Sequence, residues 1–350
     1  MQLGRVNQNL RGERKLPFFY YSGPPCAYCR ASFIMMFQKN MTAKAKLSII
    51  GAGNVGAQAA QLAAQSGICD VVLYDIAEGM PQGKALDIQE ACPLWGSSSK
   101  VTGSNSLADT AGSDIAVITA GLARKPGMSR DDLLKTNAQI VGGLAAELAK
   151  LSPHAIFIVV TNPVDAMTQL SWKKSGFPSN RVFGMGGVLD SARLRAFIAM
   201  ETGVAPKDIE AQVLGGHGDQ MVPVEALINV KGIPLSKLLP GEKIKSLIER
   251  TRNGGAEIVS LLKTGSAYYA PAMSVFEMVK SVLLDEKRVL PCAAYLEGQY
   301  KNSGVYAGVP VVLGRGGVER IIEAPLSAAE AEGFSKSAEA VKALCGKLGI

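Results

Sequence analysis

The chain has 350 residues, 47% hydrophobic and 19% charged, with 37 Lys and Arg against 30 Asp and Glu for a net charge of +7. This is the make-up of a globular protein long enough for two ordinary domains and a large core; no apolar run approaches the roughly 20 residues of a membrane span. The basic excess sits mainly in the first 40 residues, where Arg5, Arg11, Arg14, Lys15, Arg30 and Lys39 face Glu13 alone, so the near-neutral remainder gives no reason to invoke nucleic acid.

Residues 1–40 read as an extension outside the folded body. Three readings stay open: a transit peptide, a disordered tail, or a start assigned too early, with Met41 as the true first residue. The third is preferred, because MTAKAKLSIIGAGNVG opens directly into a strand. It makes the protein cytoplasmic; a genuine transit peptide makes it mitochondrial. Six cysteines are scattered, and only Cys26 and Cys29 are close. One C-x-x-C without a second pair or nearby histidines is a poor zinc signal, so reduced thiols and no metal are expected.

From Lys46 the pattern is strand, glycine turn, helix, strand. KLSII is followed by GAGNVG and by the alanine-rich AQAAQLAAQSG, a helix expected to end near Gly67. DVVLYD is a strand, GMPQGKALDIQEA a helix, and KVTGS a short strand. DIAVITAG and AIFIVVTNPVD are strands around the long helix RDDLLKTNAQIVGGLAAELAKL. Continuous apolar strands alternating with helices predict α/β architecture with a doubly wound parallel sheet over residues 41–186. After about Gly186 come longer helices (VLDSARLRAFIAMETG, IKSLIERTRNGGAEIVSLL and SAAEAEGFSKSAEAVKALCGKL) and hairpin-like strands within AQVLGGHGDQMVPVEALINVKGIPL. Residues 187–350 form the second predicted domain.

GAGNVG follows a strand, opens a helix and precedes a strand ending in Asp75, 19 residues after Gly56. That is the dinucleotide-binding context. Gly51 permits a tight turn, Gly53 lets backbone approach a pyrophosphate, and Gly56 allows close packing of helix on strand. The helix N-terminus supplies free N–H groups and partial positive charge to the phosphates, and Ala52, Asn54 and Val55 join the three glycines as expected cofactor-binding residues. Asp75 is placed to accept from both ribose hydroxyls and to repel a 2′-phosphate, which selects NAD over NADP.

LGGHGDQ, Leu214–Gln220, crowds three glycines around one of the chain's two histidines. Glycines let backbone approach a ligand or turn sharply, so His217 belongs to a crowded site. GLARKPGMSRDD, TNPVD and LDSARLR complete an unusual set. Taken in order with GAGNVG and Asp75, these segments resemble the lactate/malate dehydrogenase family, in its lactate-dehydrogenase-like malate branch, from about Lys44 to the C-terminus. The resemblance implies a Rossmann NAD-binding domain, a mixed α/β catalytic domain, and a homodimer or homotetramer. It implies reversible oxidation of malate to oxaloacetate by hydride transfer to NAD. The alternatives are a lactate or other 2-hydroxy-acid dehydrogenase, or a catalytically silent NAD-binding protein.

Physical roles stand beside the resemblance. His217 is the expected acid/base, since an imidazole near neutrality serves both directions. Asp190 orients it and stabilises the imidazolium, or caps the helix that begins SARLRAF. Arg193 grips the substrate carboxylate with two parallel hydrogen bonds, and Arg130 polarises the carbonyl oxygen. Asn162 hydrogen-bonds near the substrate oxygen and the nicotinamide, or is a turn residue before Pro163. Arg124 selects the substrate: in this family the matching position resembles Arg in malate and Gln in lactate dehydrogenases, and a second carboxylate needs a cationic partner. Arg195 is read as structural and His154 as a surface residue.

Overall fold

The computed structural model describes residues 44–122 and 130–350, without the Arg130 side chain. The N-terminal extension, Cys26, Cys29, Arg124 and Lys125 lie outside the described residues.

The first half follows the predicted alternation. Strands β1 (Ala45–Ile50), β2 (Cys69–Tyr74), β3 (Val101–Ser104), β4 (Ile115–Ile118), β5 (Ile156–Val159) and β6 (Val182–Gly184) run parallel in the order β3-β2-β1-β4-β5-β6. The connecting helices are α1 (Asn54–Ser66), α2 (Met80–Trp95), α3 (Arg130–Leu151) and α4 (Val164–Ser175). All four residues of β4 and of β5 are buried, as both-sided cover demands. The chain order reverses between β1 and β4, so their carboxyl ends open the crevice where such sheets bind ligands. Helix α1 buries Ala59, Ala60, Ala63 and Ala64, small enough to lie close on the sheet, and ends at Gly67 in the left-handed conformation.

Helix α4 departs from the sequence reading, which runs no helix after TNPVD. Its residues from Val164 to Ser171 are all buried. A helix covered on every side shows no 3.6-residue alternation, and that alternation is the signal by which a helix is read.

The second half holds α5 (Gly187–Thr202), β7 (Ile209–Glu210), β8 (Val213–Gly215), β9 (Met221–Pro223), β10 (Asn229–Val230), β11 (Ile233–Pro234), α6 (Gly241–Leu262), α7 (Tyr269–Leu283), β12 (Arg288–Glu297), β13 (Ser303–Gly314), β14 (Gly317–Ile321) and α8 (Ala328–Leu348). The strands expected around His217 are only two or three residues each. The long pairing is instead the antiparallel β12–β13 hairpin. It joins the parallel sheet where Ala293 pairs with Gly184, and it joins β8 where Gly308 pairs with Gly215. Among the described residues one sheet of eleven strands thus runs from β3 to β9 and contains both the crevice between β1 and β4 and the strand before His217. A smaller core, including Leu194, Ile198, Ile244 and Leu247, locks α5 to α6. Among the described residues, no helix is long and apolar enough to cross a membrane.

Candidate active site

The turn after β1 is built as its glycines require. Gly51 has φ +112°, open to glycine and strained for other residues. A Cβ on Gly56 would lie 1.9 Å from the Gly51 carbonyl oxygen, so only glycine brings α1 this close to the turn. A Cβ on Gly53 would meet nothing within 4 Å. Gly53 therefore faces open space at the N-terminus of α1, which is the cradle a pyrophosphate needs. Asp75 closes the turn from β2: its Oδ2 accepts the Ala52 N–H at 2.7 Å and its Oδ1 accepts the Ala77 N–H at 2.9 Å. Lys84 of α2 donates to the Ala52 carbonyl at 2.7 Å.

A second cluster forms where α4, α5, α8 and the turn after β8 meet. Helix α5 begins at its cap Gly186, so Asp190 lies inside the helix and the capping alternative is set aside. Asp190 and Arg193, three residues apart, share one helical face. Asp190 is 1% exposed; its Oδ2 meets His217 Nδ1 at 2.8 Å and its Oδ1 accepts from Arg193 Nη1 at 3.3 Å. The His217 N–H donates to Asp165 Oδ2 at 3.0 Å, and the Gly216 N–H donates to Ser337 Oγ at 2.6 Å. Burial pulls the His217 pKa down, but the charge and hydrogen bond of Asp190 and the charge of Asp165 outweigh it, and the imidazolium is favoured. Burial pushes Asp165 up to about 6, against the pull of the His217 N–H and ring.

The carboxyl ends of β4 and β5 are tied together by Asn137 of α3, which is 1% exposed. Its Oδ1 accepts the Leu122 N–H and its Nδ2 donates to the Asn162 carbonyl, each at 2.8 Å. The Asn162 side chain is exposed beside this tie. At the start of α3, next to Arg130, Asp131 pairs with Lys347 of α8 at 2.7 Å.

Of the predicted residues, the structure brings His217, Asp190 and Arg193 into direct contact, and it gathers Gly51, Ala52 and Asp75 in another. Arg195 donates to the Pro206 carbonyl, and His154 is exposed. Asn137, Asp165, Ser337 and Gly254 join these clusters without belonging to the predicted set. A Cβ on Gly254 would lie 3.3 Å from Arg193 Cδ, so this helical glycine makes room for the guanidinium stem. Two of the four carry a signal in the sequence: Asn137 interrupts the buried stripe Leu134, Val141, Ala145, Leu148, and Ser337 interrupts Phe334, Val341, Cys345. A polar side chain on an apolar stripe needs a partner elsewhere.

The model of the lactate/malate dehydrogenase NAD-binding domain matches residues 45–184, and that of the alpha/beta C-terminal domain matches residues 187–347. The chain belongs to the lactate/malate dehydrogenase family. As a member it is an NAD-binding oxidoreductase, and its Rossmann-type sheet followed by a mixed α/β part is the predicted fold class. Among its relatives, a malate dehydrogenase of Heliobacterium modesticaldum is 56% identical over 308 residues, 88% of this chain and 100% of that protein. The malate dehydrogenase structure from Cryptosporidium parvum has 46% identity and a TM-score of 0.85, covering 87% of this chain and 99% of its own. A lactate dehydrogenase structure from the same organism, complexed with lactic acid and nicotinamide adenine dinucleotide, has 42% identity and a TM-score of 0.85, covering 88% and 99%.

Proposed function

We propose that this member of the lactate/malate dehydrogenase family is an NAD-dependent malate dehydrogenase, a cytoplasmic homodimer or homotetramer that interconverts malate and oxaloacetate. The observation that carries the reading is the buried contact chain from His217 through Asp190 to Arg193. Binding a nucleotide needs none of these three. The open face at Gly53 fits the cofactor, and NAD supplies the acceptor for the hydride leaving the hydroxyl-bearing carbon.

His217 handles the proton. Asp190 occupies Nδ1, which leaves Nε2 to take the hydroxyl proton in oxidation and return it in reduction. The buried Asp190 carboxylate stabilises the imidazolium so formed. Arg193 holds the carboxylate beside the reacting carbon, Arg130 polarises the carbonyl oxygen, and Asn162 hydrogen-bonds near it. Arg124 pairs with the second carboxylate. A one-carboxylate substrate with a methyl group there leaves a desolvated cation unpaired. The family relatives named malate dehydrogenase support that choice.

The test is NADH oxidation with oxaloacetate and pyruvate at equal concentrations, with NADPH as control. Strong preference for oxaloacetate with NADH is expected. Preference for pyruvate keeps the chemistry and overturns the substrate. A His217→Asn variant should bind NADH and lose turnover; if turnover survives, His217 is not the acid/base.

A further inference from the structure

The turn that carries His217 leaves β8 at Gly215 and closes where the Met221 N–H donates to the Gly218 carbonyl at 3.1 Å. Gly215 and Gly218 take φ of +77° and +101°, and Gly216 lies between Gly215 and the histidine. Three glycines supply no side chain to pack and leave the backbone unusually free. An imidazole that must meet a substrate hydroxyl within a fraction of an ångström needs a fixed backbone. The structure fixes it with two side chains from remote helices. Ser337 of α8 accepts the Gly216 N–H at 2.6 Å, and Asp165 of α4 accepts the His217 N–H at 3.0 Å. Cβ atoms on Gly215 and Gly216 would lie 3.0 and 3.2 Å from Ser337 Oγ, so the glycines also admit this clamp.

We propose that Asp165 is a positioning residue of the reaction: with Ser337 it clamps the backbone of Gly216 and His217 between α4 and α8, and it sets a second carboxylate behind the imidazole. The proposal rests on His217 being the acid/base.

A serine or an asparagine could satisfy one N–H. The chain instead buries a carboxylate, 5% exposed, whose Oδ1 has no hydrogen-bond partner. Burying a charge with an unused oxygen is costly, so the charge points to a use beyond the hydrogen bond. Among the described residues, the charged groups acting on His217 are Asp190 and Arg193 from α5 and Asp165 from α4. The α8 side of the cluster presents Ser337 and the buried thiol of Cys345, both neutral. Asp165 is therefore the second negative charge favouring the imidazolium, opposed by Arg193. In reduction of the keto acid His217 must enter protonated, and this charge holds the proton at higher pH.

The experiment uses the full-length enzyme and three variants. Asp165→Asn keeps an oxygen for the His217 N–H and removes the charge; Ser337→Ala removes one hydrogen bond and no charge; Ser337→Thr restores the hydroxyl. NADH dissociation constants, kcat, KM and the pH profile of kcat/KM for oxaloacetate reduction are measured. For Asp165→Asn, NADH binding should hold within about 2-fold. The alkaline fall of kcat/KM should move to lower pH by roughly one pH unit, the usual size of one nearby charge. For Ser337→Ala, kcat should drop about 10-fold, the cost of a slight misplacement of the reacting group, with the profile unmoved and Thr restoring it. An unmoved profile in Asp165→Asn overturns the role of the charge, whatever happens to kcat. An unchanged kcat in Ser337→Ala overturns the clamp, however Asp165→Asn folds. A His217→Asn enzyme that still turns over defeats the acid/base reading itself; an inactive His217→Asn beside an unmoved Asp165→Asn profile defeats only this inference.

Discussion

His217 Nδ1 and Asp190 Oδ2 lie 2.8 Å apart, and the carboxylate is 1% exposed. A hydrogen bond to an ionised group gains strength out of water, and here it also dictates which ring nitrogen faces outward. Asp190→Asn keeps the shape and removes the charge. Turnover should fall by about 10³-fold or more, as when the carboxylate of another His–Asp pair is neutralised. The pH above which reduction slows should drop, because Asp190 is the main influence raising the His217 pKa. A loss under about 10-fold would mean the carboxylate serves the fold and not the chemistry.

Gly53 and Gly56 are predicted to fail differently. Gly53→Ala meets no atom within 4 Å and has φ −63°, which alanine adopts freely. Its stability should change by less than about 1 kcal/mol, the cost of a poorer N-cap, while NADH binding weakens by at least about 10-fold as the cradle fills. Gly56→Ala drives a Cβ into the Gly51 carbonyl and should lose stability as well. Calorimetry and NADH titration of both variants separate the two effects; equal binding by Gly53→Ala and the parent would place the pyrophosphate elsewhere.

Gly254→Ala sets helix propensity against substrate binding. Alanine in mid-helix gains about 1 kcal/mol over glycine, yet its Cβ presses on Arg193 Cδ at 3.3 Å. The KM for oxaloacetate should rise several-fold while NADH affinity stays. A variant with unchanged KM would show that Arg193 does not grip the substrate.

Arg124→Gln should cut activity on oxaloacetate and raise it on pyruvate. The ratio of the two kcat/KM values is the measurement, and an unchanged ratio removes Arg124 from substrate selection.

Asp165 carries a stability signature as well as a kinetic one. Burial raises its pKa from 3.8 to about 6 in the folded chain, so between those values the native state holds more protons than the unfolded one. The fold therefore loses stability as pH rises through that window. The loss is about 3 kcal/mol at roughly 1.4 kcal/mol per pH unit. Asp165→Asn has no such loss, and its Tm should gain on the parent's between pH 4 and pH 7. Parallel Tm profiles would place the buried charge elsewhere.

What was legible in the sequence is what short spacing encodes. GAGNVG, Asp75 and the segment LDSARLR with Asp190 and Arg193 are read locally, because each lies within a turn or one stretch of helix; that Asp190 and Arg193 bond each other is seen only in the structure. Asp165 and Ser337 meet the His217 turn across separations of 52 and 121 residues, and no local period announces such pairs. Helix α4 hides for a related reason: buried from Val164 to Ser171, it lacks the polar face that marks a helix. The β12–β13 hairpin shows why the second half resists reading by pieces. Its pairing with Gly184 and Gly215 makes one sheet from segments that look like separate domains in the chain.

Helix α8 carries the last consequence. Ser337 holds the turn of His217, and ten residues later Lys347 reaches Asp131, beside Arg130. The chain's final residue, Ile350, hydrogen-bonds back onto this helix at Cys345. Anything fused after Ile350 thus extends directly from the helix that holds the His217 turn. An affinity handle for purification belongs at the amino end, and a preparation tagged at the other end is the wrong sample for measuring kcat.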